Sequence, residues 1–505
     1  MITMIDNLLN RVTMYRLVLY YLAALVLAAF VFGFFGPLPY DPTAIAFSTI
    51  LIIGVCWITN HIFARVFRAA ANSESIYITA LILALIITPV TAADHAGVGF
   101  LIFASVWAMA SKYIFALGKK HIFNPAAFAV ALSAIAINQP ATWWVAGNLA
   151  LLPIVLVGGL LVVRKVQRFD LVLSFTLAAL ASSILTSHAG DPATLIEQTF
   201  LHSSLLFLAF AMLSEPLTTP PTTALRIAYG VIVGVLFAPN IHVGTFYLTP
   251  ELALLAGNIF AFLVSPKGRH VLTLSAIEQK ANDVYDFVFT PDRSFRFRPG
   301  QYLEWTPAHA YPDNRGNRRY FTIASSPTER SLRLGVKFYN PSSTFKRALA
   351  SMKVGETIST SHLAGGFVLP NDKNKKLVFI AGGIGVTPFR SMIQYLIDKK
   401  EARSVVVLYS NRTAADVAYK DVFDRAQSEL GIKTVYALSN EKQAVPGMIN
   451  GMLDAALIAR EIPDYRERMF FISGPHVMVD AFTKTLTGMG VSRFKIKSDF
   501  FPGFA

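Results

Sequence analysis

The chain has 505 residues, of which 54% are hydrophobic and 15% charged, and its mean hydropathy of +0.49 excludes an ordinary soluble enzyme as a description of the whole. The net charge of +14 raises nucleic acid as a partner, but the basic residues fall in alternate loops between apolar stretches, which excludes that reading. The single cysteine, Cys56, lies inside an apolar stretch, so disulfides, thiolate zinc sites and cysteine-held iron–sulfur clusters are excluded and no metal site is expected.

Ten apolar segments are expected at roughly 17–36, 43–64, 76–92, 96–111, 123–138, 146–163, 170–187, 198–214, 227–238 and 247–265, most of them near the length that crosses a bilayer. Arg11 and Arg16 precede the first, and Arg65, Lys112, Lys119, Arg164, Arg226 and Lys267 mark every second loop after it. The loops between carry acids instead, such as Asp41, Asp94, Asp191 and Glu197. This alternation predicts a multi-pass protein of the cell (inner) membrane with both termini in the cytoplasm. His61 and His202 are the only histidines within these segments, and neither has a helical partner for haem.

ALIITPVT (84–91) is matched by AMLSEPLT (211–218), and FNPAA (123–127) follows the first at nearly the distance at which LTPEL (248–252) follows the second. A repeat of five spans is odd, so the second copy enters the membrane inverted. Pro89, Pro125, Pro216 and Pro250 mark span ends where helices break and ligands bind. The runs LGKKHIFNPA (117–126), SEPLTTP (214–220) and RIAYG (226–230) resemble the family of ten-span membrane components shared by the Rnf ferredoxin:NAD oxidoreductase and the sodium-pumping NADH:quinone reductase. That resemblance implies ten spans with a 5+5 inverted repeat and a flavin in the membrane domain. The family's FMN-bearing segment survives only as Ala141 and Thr142, and its Thr-Asp-Pro becomes Ser214, Glu215 and Pro216. A second flavin, FMN or riboflavin, is therefore expected near Asn124, Pro125, Ser214, Glu215 and Thr218, with Thr142 as the alternative attachment point.

From Lys267 onward short apolar runs alternate with charged and turn residues. VYDFVF (284–289) and LRLGVKFY (332–339) read as strands of a small antiparallel barrel. Beyond residue 375 strands alternate with helices: LVFI (377–380) with a helix after Pro388, VVVLY (405–409) with a helix from Thr413, and MFFISG (469–474) with a third, which predicts a doubly wound parallel sheet. The expected domains are a ten-span membrane domain (1–266), an FAD-binding β-barrel (267–370) and an α/β NAD(P)-binding domain (371–505).

Residues 267–505 resemble the ferredoxin–NADP reductase superfamily through motifs that occur in order. PGQY (299–302) places Tyr302 near the flavin, and RYFT (319–322) matches Arg-x-Tyr-Ser/Thr. The resemblance implies that Arg319 pairs with the FAD pyrophosphate, Phe321 packs on the flavin and Thr322 reaches its reactive nitrogen. SSTF (342–345) implies a pyrophosphate contact through Ser343 and Thr344. GGIGVT (382–387) implies close phosphate approach at Gly382, Gly383 and Gly385, with Thr387 and Pro388 opening the next helix. SGPHVM (473–478) places Ser473, Gly474, Pro475 and Met478 at the nicotinamide, Ser473 replacing the family's cysteine. The ending DFFPGFA (499–505) implies an aromatic shield over the flavin at Phe500 or Phe501, or else a hydrophobic tail that docks the domain. In YSNRT (409–413), Asn411 and Arg412 meet the adenosine, and the lack of a second adjacent basic residue favours NADH over NADPH. The expected activity is a membrane-bound NAD(P)H dehydrogenase that passes electrons from FAD to a second flavin, a quinone or an extracytoplasmic acceptor. A redox-driven ion pump and a transporter with an attached reductase are the alternatives.

Overall fold

The computed structural model describes residues 5, 9, 12–67, 73–117, 120–187, 191–265, 270–294, 296–307 and 318–501. It divides into two compact units, Met1–Gly268 and Arg269–Ala505.

The N-terminal unit is helical, and its order of elements occurs twice. The first set is α1 (Met14–Phe35), α2 (Pro42–Val66), α3 (Ser73–Ile86), α4 (His95–Ile114), the small hairpin β1 (Ala116–Leu117) and β2 (Lys120–His121), and α5 (Pro125–Ile137). The second is α6 (Leu152–Val166), α7 (Phe169–Thr186), the pair α8 (Pro192–Leu201) and α9 (Leu205–Leu213), α10 (Thr223–Phe237), the hairpin β3 (His242–Val243) and β4 (Phe246–Tyr247), and α11 (Pro250–Val264). In both sets the last helix starts on a proline just after the hairpin, where the missing N–H costs nothing. In α5 the Asn124 side chain adds a cap by accepting from the Ala127 N–H.

Among the described residues, α1, α2, α4 and α7 are long and apolar enough to cross a membrane, and the α8–α9 pair makes a fifth if its 54° bend is counted as one span. The ten expected apolar segments thus each contain helix, but several are shorter than the apolar run that suggested them. The segment expected at 76–92 loses its helix at Ile86, ahead of Pro89, and the one expected at 247–265 gains its helix only at Pro250. At about 1.5 Å per residue, α5 and α11 reach only about 20 Å, short of a hydrocarbon layer about 30 Å thick. Glycine permits the closest helix contact: a Cβ on Gly234 of α10 would stand 2.5 Å from the Phe175 carbonyl of α7.

The C-terminal unit begins with an antiparallel sheet of β5 (His270–Ala281), β6 (Val284–Pro291), β7 (Tyr302–Thr306), β8 (Arg319–Thr322), β9 (Leu332–Lys337) and β10 (Thr357–Ala364), in the order β8-β7-β10-β5-β6-β9. Leu274, Phe287, Phe289, Trp305, Leu334 and Phe345 fill its interior. Phe345 comes from α12 (Thr344–Ala350), which Ser343 caps.

Six parallel strands follow: β11 (Leu377–Gly382), β12 (Val405–Asn411), β13 (Lys433–Leu438), β14 (Met448–Asn450), β15 (Met469–Pro475) and β16 (Ile496–Phe501), in the order β14-β13-β12-β11-β15-β16. Helices α13 (Thr387–Asp398) and α14 (Lys420–Leu430) cover one face, and α15 (Ala455–Glu461) and α16 (His476–Gly488) cover the other. The helix expected from Thr413 starts later. Thr413 and Asp416 close a capping box around a single tight turn, and Tyr419 takes a left-handed conformation (φ 58°) before α14 begins at Lys420. Strands β13, β14 and β16 are additions to the sequence reading.

Candidate functional site in the C-terminal unit

The parallel sheet reverses its winding between β11 and β15, and ligands of such sheets bind outside the carboxyl ends of the strands at that point. The glycine turn ends β11 and the Ser473–Pro475 segment ends β15, so the two motifs flank the crevice. They touch: a Cβ on Gly385 would lie 2.4 Å from the Ser473 carbonyl oxygen, and one on Gly382 would lie 2.0 Å from Met478 Sδ. Gly383 has φ +51° and open space where a side chain would stand, which leaves the backbone accessible to a phosphate. Thr387 is the first residue of α13, with Pro388 next.

Two polar side chains at this edge are buried without partners. Ser473 is 0% exposed and its hydroxyl makes no hydrogen bond, and Asn411 is 6% exposed with neither amide atom bonded. A buried polar group left unsatisfied costs roughly 1–3 kcal/mol, so both atoms are where a dinucleotide would find donors and acceptors. Arg412 beside Asn411 is exposed. The residues present therefore fit a bound NAD(P)H.

Tyr409 opens the YSNRT segment, where the sequence reading gave roles to Asn411 and Arg412 alone. Its buried hydroxyl donates to the Gly383 carbonyl (3.2 Å) and accepts from the Ala418 N–H (3.3 Å), which fixes the phosphate turn from beneath. Asp499 pairs in register with Ser473 across β15 and β16. Its side chain keeps some contact with solvent, yet the surrounding protein raises its carboxyl to about 6. Phe500 pairs through its backbone with Gly474; its side chain and residues 502–505 lie outside the described residues.

On the barrel side, Tyr302 and Thr322 are cross-strand partners, and Thr322 is buried. The Arg319 guanidinium lies 5.5 Å from the centre of the Phe345 ring, and Phe321 packs on the same ring at 5.5 Å. Since Phe345 follows Ser343 and Thr344 at the start of α12, the fold brings together the four residues Arg319, Phe321, Ser343 and Thr344. This grouping of a cation with small hydroxyl residues fits the pyrophosphate of FAD.

The barrel and the sheet are joined by ionic contacts. Tyr419 donates to Asp286, Arg390 pairs with Glu329, and Lys337 lies 2.9 Å from Asp416. Burial raises the Asp286 carboxyl above its usual range, against the pull of Tyr419 and Arg333. Sequence spacing carries no signal for Tyr419, whose partner is far away in the chain.

In the N-terminal unit the expected flavin residues separate into two groups. Asn124 Nδ2 and Thr218 Oγ1 both donate to Glu215 Oε2 (3.0 and 3.3 Å), and His121 Nε2 lies 3.3 Å from Glu215 Oε1. Ser214 bonds the Phe210 carbonyl, and Pro125 follows Asn124 at the head of α5. The Asn124 N–H donates to Asn258 of α11, whose amide donates to the Tyr229 hydroxyl. Thr142 is elsewhere, bonded to Thr88 and to the Ile86 carbonyl where α3 ends. Beside it, the Trp143 indole donates to the buried Glu251.

Residues 379–484 match the family model of the oxidoreductase NAD-binding domain. An NADPH oxidoreductase of Mycobacterium tuberculosis is 29% identical over 204 residues, covering 39% of this chain and 51% of that one. A flavohemoprotein of Candida albicans is 32% identical over 168 residues, covering 32% of this chain and 41% of that one. The chain spans about half the length of the curated relatives it matches. Among solved structures, the flavohem-like FAD/NAD-binding domain of a nitric oxide dioxygenase from Vibrio cholerae aligns over 46% of this chain and 98% of its own, with 19% identity and a TM-score of 0.41. The C-terminal unit thus joins an antiparallel sheet to a parallel sheet, and residues 379–484 of the latter match the oxidoreductase NAD-binding family.

Proposed function

We propose that the chain is a membrane-embedded NAD(P)H:acceptor oxidoreductase, in which hydride is delivered to FAD in the C-terminal unit and electrons pass on into the N-terminal unit. The observation that carries the first half is the pair of unpartnered buried groups, Ser473 Oγ and the Asn411 amide, on either side of an open glycine turn. Ser473 orients the nicotinamide, Gly383 and Thr387 receive the phosphates, and Asn411 and Arg412 hold the adenosine end, with NADH favoured. Arg319, Ser343 and Thr344 hold the FAD pyrophosphate, while Tyr302, Phe321 and Thr322 line the flavin. Bound FAD accepts a hydride and releases single electrons.

The membrane half of the proposal is supported by exposed apolar surface. Leu27, Phe34, Ile50, Leu173 and Leu177 point outward from the long helices, each more than half exposed, an arrangement that suits hydrocarbon and not water. The doubled order of elements supports an inverted repeat, with the broken helix ends meeting inside the layer. Electrons cannot cross about 30 Å of hydrocarbon by contact, so a redox group between the repeats, FMN or riboflavin, is required for transfer across it. Quinone or an extracytoplasmic carrier is then the final acceptor. Anaerobic titration with NADH tests the reading: the purified chain should take up two hydride equivalents, and uptake of only one would leave FAD as the sole carrier.

One observation favours a second reading, redox-driven ion movement. Asn124, Thr218 and His121 are committed to Glu215 rather than open to a ring, and a half-buried carboxylate at a helix break inside a membrane unit is a functional site by default. Glu215→Gln should then abolish ion uptake by proteoliposomes while NADH:ferricyanide activity persists.

A further inference from the structure

In the C-terminal unit many cations are matched by carboxylates, as in Lys337–Asp416, Lys376–Asp464, Lys420–Asp424 and Lys433–Glu461. One face departs from this pattern. Leu272 of β5 pairs with Pro291 at the end of β6, so the loop that follows lies beside the start of β5. Its sequence from 292 is DRSFRFR, and Arg293, Arg296 and Arg298 are exposed.

The loop has one acid, Asp292, which lies 3.4 Å from His270. Arg298 is held by neutral acceptors, the Leu369 carbonyl and Asn371 Oδ1, each at 3.0 Å. Next to it stand Lys375 and, on edge strand β16, Lys497. Burial and then the like charges of Arg298 and Lys375 hold the Lys497 ammonium below the ordinary lysine range. Among the described residues, Arg296, Arg298, Lys375 and Lys497 have no carboxylate partner. Cations gathered without counter-charge repel one another, and an external anionic surface relieves that repulsion.

The place of this face in the chain indicates which surface. The backbone passes from α11, ending at Val264, to β5 at His270 through a short tether that itself contains Lys267 and Arg269. Basic clusters that directly follow a membrane span on its cytoplasmic side attract anionic headgroups. Phe297 of the loop packs into the barrel core and is not free to insert in lipid, so the attraction is electrostatic and salt-sensitive.

We propose that the face formed by Arg296, Arg298, Lys375 and Lys497 docks on anionic phospholipid headgroups. This rests on the membrane reading of the N-terminal unit. Bound to the bilayer in this way, the reductase unit is restricted in orientation.

Hydrogen exchange of the full chain in lipid nanodiscs tests it, with discs of phosphatidylcholine compared to discs containing phosphatidylglycerol. Backbone amides over 292–298 should exchange several-fold more slowly in the anionic discs. The protection should vanish in about 0.5 M salt, where screening is nearly complete, and in the variant Arg296→Gln/Lys375→Gln, which should keep NADH:ferricyanide activity. Equal exchange in the two lipids would overturn the proposal, as would the same protection in neutral discs on adding inorganic phosphate, which would make this a site for free anions. A chain that fails to enter discs would defeat the membrane reading itself, an outcome distinct from either.

Discussion

Around Glu215 in the N-terminal unit, polar groups satisfy one another across long stretches of chain: Glu215 meets His121, Asn124 and Thr218, and Asn258 joins Asn124 to Tyr229. At the crevice of the C-terminal unit, Ser473 and Asn411 are buried and unsatisfied beside an open glycine turn. The difference separates a polar network that is complete as it stands from a site that a ligand completes. A nucleotide site is used repeatedly and must present free donors to each new ligand.

The comparison breaks most severely at Glu215. Replacing it with leucine strands His121 and Asn124, and leaving largely buried polar groups without a partner costs roughly 1–3 kcal/mol; the Tm of the purified protein should fall clearly, while a change near zero would mean the network is dispensable. On the other side, Arg319→Ala should remove the pyrophosphate pairing, at about 1.5–3 kcal/mol per charge-assisted bond. The variant should purify largely without FAD, and stoichiometric FAD would refute the assignment. A smaller effect is expected from Tyr409→Phe, which frees the Gly383 carbonyl at a cost of about 1 kcal/mol. The KM for NADH should rise several-fold with FAD retained, and a drop in kcat alone would place Tyr409 elsewhere in the reaction. Arg412→Ala sharpens nucleotide choice: a larger rise in KM for NADPH than for NADH marks a 2′-phosphate contact, and equal changes mark an adenine contact.

The smallest effect concerns pH. Burial raises the folded Asp499 carboxyl to about 6, above the roughly 3.9 of an unfolded aspartate. Between those values the folded chain holds the extra proton, so this group favours folding at low pH and that contribution is lost as pH rises through about 6. Asp499→Asn should therefore raise Tm at pH 8 and leave it nearly unchanged at pH 4; the opposite pattern would mean that the folded protein stabilises the carboxylate.

The same contrast explains what could be read from the sequence. The RYFT, GGIGVT and SGPHVM segments each contain within a few residues the strand end, turn and polar group that the chemistry needs, so their order in the chain indicated both the fold and the crevice. Tyr409 was hidden because its role depends on the next strand lying under the glycine turn, and Tyr419 because it reaches a barrel residue far back in sequence. In the membrane half, paired prolines located the helix breaks, but apolar runs overstated the helices, since hydropathy does not register that Pro89 and Pro250 interrupt them. Thr142 shares composition with a flavin attachment segment, yet it bonds to Thr88 and Ile86, away from Glu215.

Transfer of electrons from the reductase unit through the membrane unit is the central claim, and proteoliposomes test it most directly. With ferricyanide trapped inside and NADH added outside, chains whose C-terminal units face outward should reduce the trapped ferricyanide, and Arg319→Ala should abolish that reduction. Rapid reduction of external ferricyanide with none inside would contradict the account and leave the N-terminal unit without a part in electron transfer across the membrane.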